Sequence, residues 1–148
     1  PITLSISLHA ADDETRDTIM PVNRAYPIAE LLSACLRYFK TTGRRICFEY
    51  ALTQGKNDSR EQAAKLALVL NRALRTRTET MPIHVNLIPV NEVKETGFVA
   101  GSVGSANAFA DILNSLGVVA TVRRRLGSDV NAACGQLRRK AMTAQNDN

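Results

Sequence analysis

Of the three cysteines in this 148-residue chain, Cys134 has the surroundings of a reactive thiol. It lies in Asp129-Val130-Asn131-Ala132-Ala133-Cys134-Gly135-Gln136-Leu137, with small residues on both sides and outside any apolar stripe. Cations bracket the segment, with Arg123, Arg124 and Arg125 before it and Arg138, Arg139 and Lys140 after it. Such neighbours favour thiolate over thiol, lowering a pKa from about 8.5, and the thiolate is the reactive form. The same residue also fits a buried place in a terminal helix, where cysteine acts as a small hydrophobe. Ser7 and His9 are a second candidate pair. Two positions apart on a strand they share one face, and both can donate and accept hydrogen bonds. Asn91, just past a later strand, can do the same. No Ser/His/Asp arrangement, G-x-G-x-x-G loop or metal-ligand spacing can be read, so these residues alone indicate a polar ligand at a strand end.

The elements that must position them follow from periodicity. Ile2, Leu4, Ile6 and Leu8 alternate with Thr3, Ser5, Ser7 and His9, the period of a strand with two unlike faces. From Pro27, the residues Ile28, Leu31, Leu32, Cys35, Leu36 and Phe39 form one helical stripe that Gly43 stops, which makes Cys35 a core residue. A second strand over residues 45–52 puts Ile46, Phe48 and Tyr50 on one side, and Cys47 and Glu49 on the other. After a turn at residues 54–58, Ser59 and Gln62 read as a capping box for a helix with Ala63, Leu66, Ala67, Leu70 and Leu74 inward. A third strand covers residues 83–88, and residues 91–104 read as a loop punctuated by Gly97, Gly101 and Gly104. A third helix turns Phe109, Ile112, Leu113 and Leu116 inward and ends at Gly117, and residues 118–122 form the last strand.

Strands alternating with helices imply a mainly parallel sheet, either open or curled into part of a barrel. Central strands of an open doubly wound sheet are covered on both faces and read as continuous apolar runs. Here each strand keeps a polar side: Ser5, Ser7 and His9, then Glu49, then His84 and Asn86. A polar inner face suits a barrel that holds a ligand, with helices on the apolar outer face. At about 30 residues per strand-helix unit the chain supplies about half a closed barrel. Raw sheet edges must be paired or covered, so the expectation is an α/β fold that is the carboxy-terminal half of a barrel over residues 1–126, with a tail over residues 127–148.

Composition narrows the classes. Hydrophobic residues make up 45% and charged residues 22%, the balance of one globular domain. No apolar run is long enough for a membrane span, and no secretory signal is read at the start. The odd cysteine count forms no complete disulfide framework, so reduced thiols and a cytoplasmic home are expected. Lys and Arg number 19 against 14 acidic residues, and the gathered arginines suit a polyanion.

Taken in order, several blocks resemble one family. Ser7-Leu8-His9-Ala10, Asp13-Glu14-x-Arg16 and Met20-Pro21-Val22-Asn23 come first, followed by Gly43-Arg44-Arg45 with Phe48-Glu49-Tyr50, and by Gly55-Lys56-Asn57-Asp58. Val85-Asn86-Leu87-Ile88-Pro89-Val90-Asn91 and Asn131-Ala132-Ala133-Cys134-Gly135-Gln136-Leu137 complete the series. This pattern is similar to the radical S-adenosylmethionine (SAM) rRNA adenine methyltransferases of the RlmN/Cfr type. The resemblance implies the carboxy-terminal part of a (β/α)6-type barrel holding a [4Fe-4S] cluster and S-adenosylmethionine. It implies S-adenosylmethionine contacts at Ser7, Leu8, His9 and Asn91, and at Cys134 the cysteine that is methylated before its methyl group is passed to an adenine ring carbon. The implied partners are 23S rRNA and tRNA, with the basic flank holding phosphates. The family's C-x-x-x-C-x-x-C cluster motif is absent, and Cys35 and Cys47 do not match its spacing. The expectation is therefore that the cluster ligands belong to an amino-terminal part outside this chain, which alone performs no turnover. Carbon 2 of adenine is the expected target, with carbon 8 the Cfr-like alternative and a non-catalytic RNA-binding module the third reading.

Overall fold

Which side of a parallel sheet receives helices is set by how its strands are ordered. In the computed structural model, which describes residues 3–75, 80–89 and 103–123, four strands lie side by side in chain order. They are β1 (Leu4–Ser7), β2 (Ile46–Leu52), β3 (Ile83–Pro89) and β4 (Val119–Val122), and all neighbours are parallel. Each crossover steps one place in the same direction, and right-handed crossovers then put every helix on one face. The main crossover helices are α2 (Ile28–Thr42), α3 (Arg60–Leu74) and α4 (Val103–Ser115), numbered after a short helix α1 (Asp13–Ile19) that follows β1. A sequential parallel sheet covered by helices on one face is a partial (β/α) barrel, as the alternation predicts.

The outer face carries the core. Ile46, Phe48, Tyr50 and Leu52 of β2 are buried with Val85 and Leu87 of β3, against Leu32 and Cys35 of α2, Leu66 and Leu70 of α3, and Phe109 and Leu113 of α4. The rings of Tyr50 and Phe109 lie 5.3 Å apart at 37°. Register sets the inner face in rows. Ser5, Cys47, His84 and Val119 form one row, and Ser7, Glu49, Asn86 and Thr121 form the next toward the carboxyl ends.

Helix ends follow local chemistry. Gly43 closes α2 with φ of 64°, a left-handed turn that glycine takes without steric cost, and its N–H returns to the Phe39 carbonyl at 2.7 Å. Ser59 caps α3 by accepting from the Gln62 N–H at 3.2 Å. Only half of the expected capping box forms: the Gln62 side chain swings toward α1, where its Nε2 donates to Asp12 and Thr15, and its Oε1, the acceptor the box would use, is left without a partner.

Three further departures from the sequence reading have physical causes. α1 and a 3-10 turn at Pro21–Arg24 occupy a stretch for which no element was expected. Arg16 is the one buried residue of α1, so there is no apolar stripe to see. α4 starts at Val103, inside the expected loop over residues 91–104. Leu116 lies past the last turn of α4 and is 46% exposed, where the stripe had placed it inward.

Candidate cofactor site on the inner face

β1 ends at Ser7, and the three residues Ser7, Leu8 and His9 turn the chain off the sheet. Ser7 is exposed on the polar inner face. Leu8 points the other way and is fully buried in the outer core, so it meets the inner side through its backbone alone. The Leu8 and His9 N–H groups both donate to the Glu49 carbonyl, at 3.0 and 3.3 Å. His9 has φ of 58°, a region in which histidine is enriched relative to other side chains. This turn brings its ring over the next strand, where Nδ1 accepts from the Ala51 N–H at 3.0 Å. A side chain thus continues the ladder that β1 no longer supplies.

That bond fixes the histidine's chemistry. A backbone N–H can only donate, so Nδ1 is unprotonated and neutral His9 carries its hydrogen on Nε2. Burial lowers the His9 pKa below 6.5, and the nearby Arg16 charge lowers it further against an opposing pull from Glu49. At neutral pH the ring therefore presents an uncharged Nε2–H donor.

Arg16 holds this turn from beneath. Its Nε donates to the Leu8 carbonyl at 2.9 Å and Nη2 to the Ser7 carbonyl at 3.2 Å. Nη1 reaches Asn23 Oδ1 at 2.7 Å and the Tyr26 carbonyl at 3.1 Å. Asn23 is itself set by donating to Asp17 Oδ1 at 2.8 Å, and Asp13 accepts from the Ile28 N–H that opens α2. The planar guanidinium satisfies several carbonyls at fixed angles, which a lysine cannot reproduce. Asp12 caps α1 and pairs with Lys65 at 2.8 Å. Partial burial works against the Asp12 charge, but Lys65 and the capping bonds outweigh it and hold the carboxyl well below the usual range.

Asn57 locks the same turn from the β2 side. It is fully buried, its Oδ1 accepts from the Thr53 N–H at 2.7 Å, and its Nδ2 donates to the His9 carbonyl at 2.7 Å and the Ala51 carbonyl at 2.8 Å. The Asn57 carbonyl in turn accepts from the Tyr50 hydroxyl at 2.9 Å. Arg16 and Asn57 belong to sequence blocks quoted for the resemblance, but as site residues both were missed by the reading from composition and periodicity. The available signals were an arginine inside an acidic turn and an asparagine in a Gly-Lys-Asn-Asp loop just past a strand.

The inner face itself is polar and ordered. Glu49 Oε2 accepts from Asn86 Nδ2 at 2.8 Å. One row lower, Cys47 Sγ lies 3.2 Å from His84 Nδ1, and His84 Nε2 lies 3.1 Å from Thr121 Oγ1. Burial raises the Cys47 thiol, and Glu49 adds to the shift. Cys35, buried in α2, is pushed up to about 11 by burial. Both therefore stay protonated near neutral pH.

Of the expected site residues, Ser7, Leu8 and His9 come together at this strand end, whereas Asn91 and Cys134 lie outside the described residues. No group of three or more His, Cys, Asp or Glu suited to a metal occurs among the described residues. Among them, no helix is long and apolar enough to cross a membrane.

Comparison with known proteins agrees with this architecture. A Clostridium perfringens protein named probable dual-specificity RNA methyltransferase RlmN is 51% identical over 138 residues, covering 93% of this chain and 38% of its own length. A protein of the same name from Caldanaerobacter subterraneus is 50% identical over 139 residues. The crystal structure of a radical SAM methyltransferase from Sphaerobacter thermophilus matches with a TM-score of 0.78 and 46% identity, covering 91% of this chain and 37% of that one. A domain of the pyruvate-formate lyase-activating enzyme from Bacteroides vulgatus matches with a TM-score of 0.62 at 20% identity, a likeness of fold alone. No protein-family model matches the chain. At about half identity over nearly its whole length, this chain matches a part of the RlmN-type radical SAM methyltransferases that spans 38% of the length of those relatives.

Proposed function

We propose that this chain forms the S-adenosylmethionine-binding side of the barrel in an adenine-C2 methyltransferase acting on 23S rRNA and tRNA in the cytoplasm. The observation that carries the proposal is the Ser7-Leu8-His9 turn, clamped by Arg16 and Asn57 at the open end of a polar sheet face. Hydroxyl, carboxylate, amide and imidazole groups side by side fit a ligand that joins a nucleoside to an amino acid. Ser7 offers a hydroxyl, and neutral His9 a directed Nε2–H, while Leu8 holds the turn by burying its side chain. Asn91, which follows β3 in the sequence, is assigned a further polar contact.

S-adenosylmethionine supplies the methyl group when bound, and an iron-sulfur cluster is the radical source that this likeness implies. The described residues do not fit that cluster: Cys35 is sealed in the core and Cys47 stands alone with His84. Its ligands are therefore assigned to the part of the longer protein not represented here. Cys134 is assigned the role of methyl acceptor, its sulfur taking the methyl group as a thiolate, with the flanking arginines holding RNA phosphates without choosing sequence. The tail over residues 127–148 is assigned the task of presenting this sulfur to the cofactor.

The test uses the whole protein that carries this chain, reconstituted with iron and sulfide and incubated with rRNA or tRNA. Mass spectrometry of the digested RNA is expected to show 2-methyladenosine, and Cys134→Ala to abolish it. Product formed at carbon 8 would replace the assigned position. Full activity in Cys134→Ala would overturn the assigned mechanism.

A further inference from the structure

Glu49 is the one carboxylate among the inner-face residues that register places in the two rows. It is half-buried, yet its side-chain partners are neutral: Asn86 Nδ2 at 2.8 Å and the Cys47 thiol at 3.8 Å. Among the described residues no lysine or arginine forms an ion pair with it. Arg16 and Lys65 are committed elsewhere, Arg16 to the carbonyls of Ser7, Leu8 and Tyr26, and Lys65 to Asp12. A partly desolvated carboxylate without a counter-charge is costly, and neutral donors hold its orientation without cancelling its charge. The strands place it in the same row as Ser7 and next to it, with Asn86 on its other side.

We infer that Glu49, held in place by Asn86, is the counter-charge for the positively charged sulfonium of S-adenosylmethionine. The inference rests on the cofactor reading above and adds a residue and a basis for selectivity. A carboxylate at this position favours the sulfonium over the neutral thioether left once the methyl or adenosyl group has gone. The same charge that draws the cofactor in thus loosens the spent form.

The experiment compares two ligands in the whole protein that carries this chain: S-adenosylmethionine and the uncharged thioether S-adenosylhomocysteine. Their dissociation constants are measured by calorimetry for wild type, Glu49→Gln and Glu49→Asp. The expected result is that Glu49→Gln weakens S-adenosylmethionine binding about tenfold and leaves S-adenosylhomocysteine within about twofold. Retained thioether binding also shows that the variant is folded. Glu49→Asp, which keeps the charge, is expected to recover part of the preference. Equal weakening of both ligands, or no change in either, would overturn the role of Glu49 while leaving the cofactor reading intact. Failure of wild type to bind either ligand would overturn that reading and this inference with it.

Discussion

Replacing Asn57 by alanine removes one side chain and strands three backbone groups. The Thr53 N–H loses its acceptor at 2.7 Å, and the carbonyls of His9 and Ala51 lose donors at 2.7 and 2.8 Å. An unsatisfied buried polar group costs about 1–3 kcal/mol. The Thr53 bond is buried and stands at the upper end, while the two carbonyls are partly buried and stand at the lower end, giving about 5 kcal/mol in all. This is a large share of the roughly 5–15 kcal/mol that holds a domain together. The assay is urea unfolding of the whole protein that carries this chain, followed by circular dichroism. With a slope of about 2 kcal/mol per molar urea, the midpoint is expected to fall by about 2.5 M with the slope unchanged. Asn57→Asp keeps the acceptor for Thr53 but turns a carboxylate oxygen toward two carbonyls, and is expected to cost at least as much. A loss under about 1 kcal/mol for Asn57→Ala would refute the reasoning that this side chain locks the turn.

Arg16→Lys keeps the charge but loses the planar fork, so the carbonyls of Ser7, Leu8 and Tyr26 cannot all be reached. A cost of about 2–4 kcal/mol is expected in thermal melts, and a neutral result would show that charge alone suffices. His9 gives a pH dependence with a definite sign, because its folded-state pKa lies below the unfolded value of 6.5. The folded form binds the proton less readily, so this contribution is complete above about pH 6.5 and is lost as pH falls through the depressed folded-state value. His9→Asn, which tolerates the left-handed backbone, is expected to flatten that part of the stability curve, and an unchanged curve would assign the dependence to other groups.

What was legible in the sequence, and what was not, divides along a physical line. β2 was readable because Ile46, Phe48 and Tyr50 pack on helices while Cys47 and Glu49 face the polar side, and one-sided burial writes itself as alternation. The stripe of α3 was readable for the same reason at helical spacing. α1 left no such trace, since it folds around a buried guanidinium rather than an apolar surface. Its signals were Asp12 as a cap and the acidic first turn of Asp13 and Glu14, which mark a helix start without saying what it covers. Ser7 was legible because a strand exposes alternate side chains, whereas His9, expected on the same strand face, lies past the end of β1 in a left-handed turn that alternation does not foresee. Asn57 was read only as part of a turn, because nothing in a turn signal says whether its amide points to water or inward. The pairing of Asn86 with Glu49 depends on register between strands 37 residues apart, which periodicity within one strand does not contain.

The central claim, that the Ser7 to His9 turn is the cofactor-binding end of this sheet, is tested most directly by equilibrium binding of S-adenosylmethionine to the whole protein. Ser7→Val suits a strand and His9→Asn keeps the turn, so their combination removes the hydroxyl and the Nε2–H without dismantling the fold. The double variant is expected to bind S-adenosylmethionine at least about tenfold more weakly than wild type, with its melting temperature retained to within a few degrees. Undiminished affinity in that folded variant would contradict the claim.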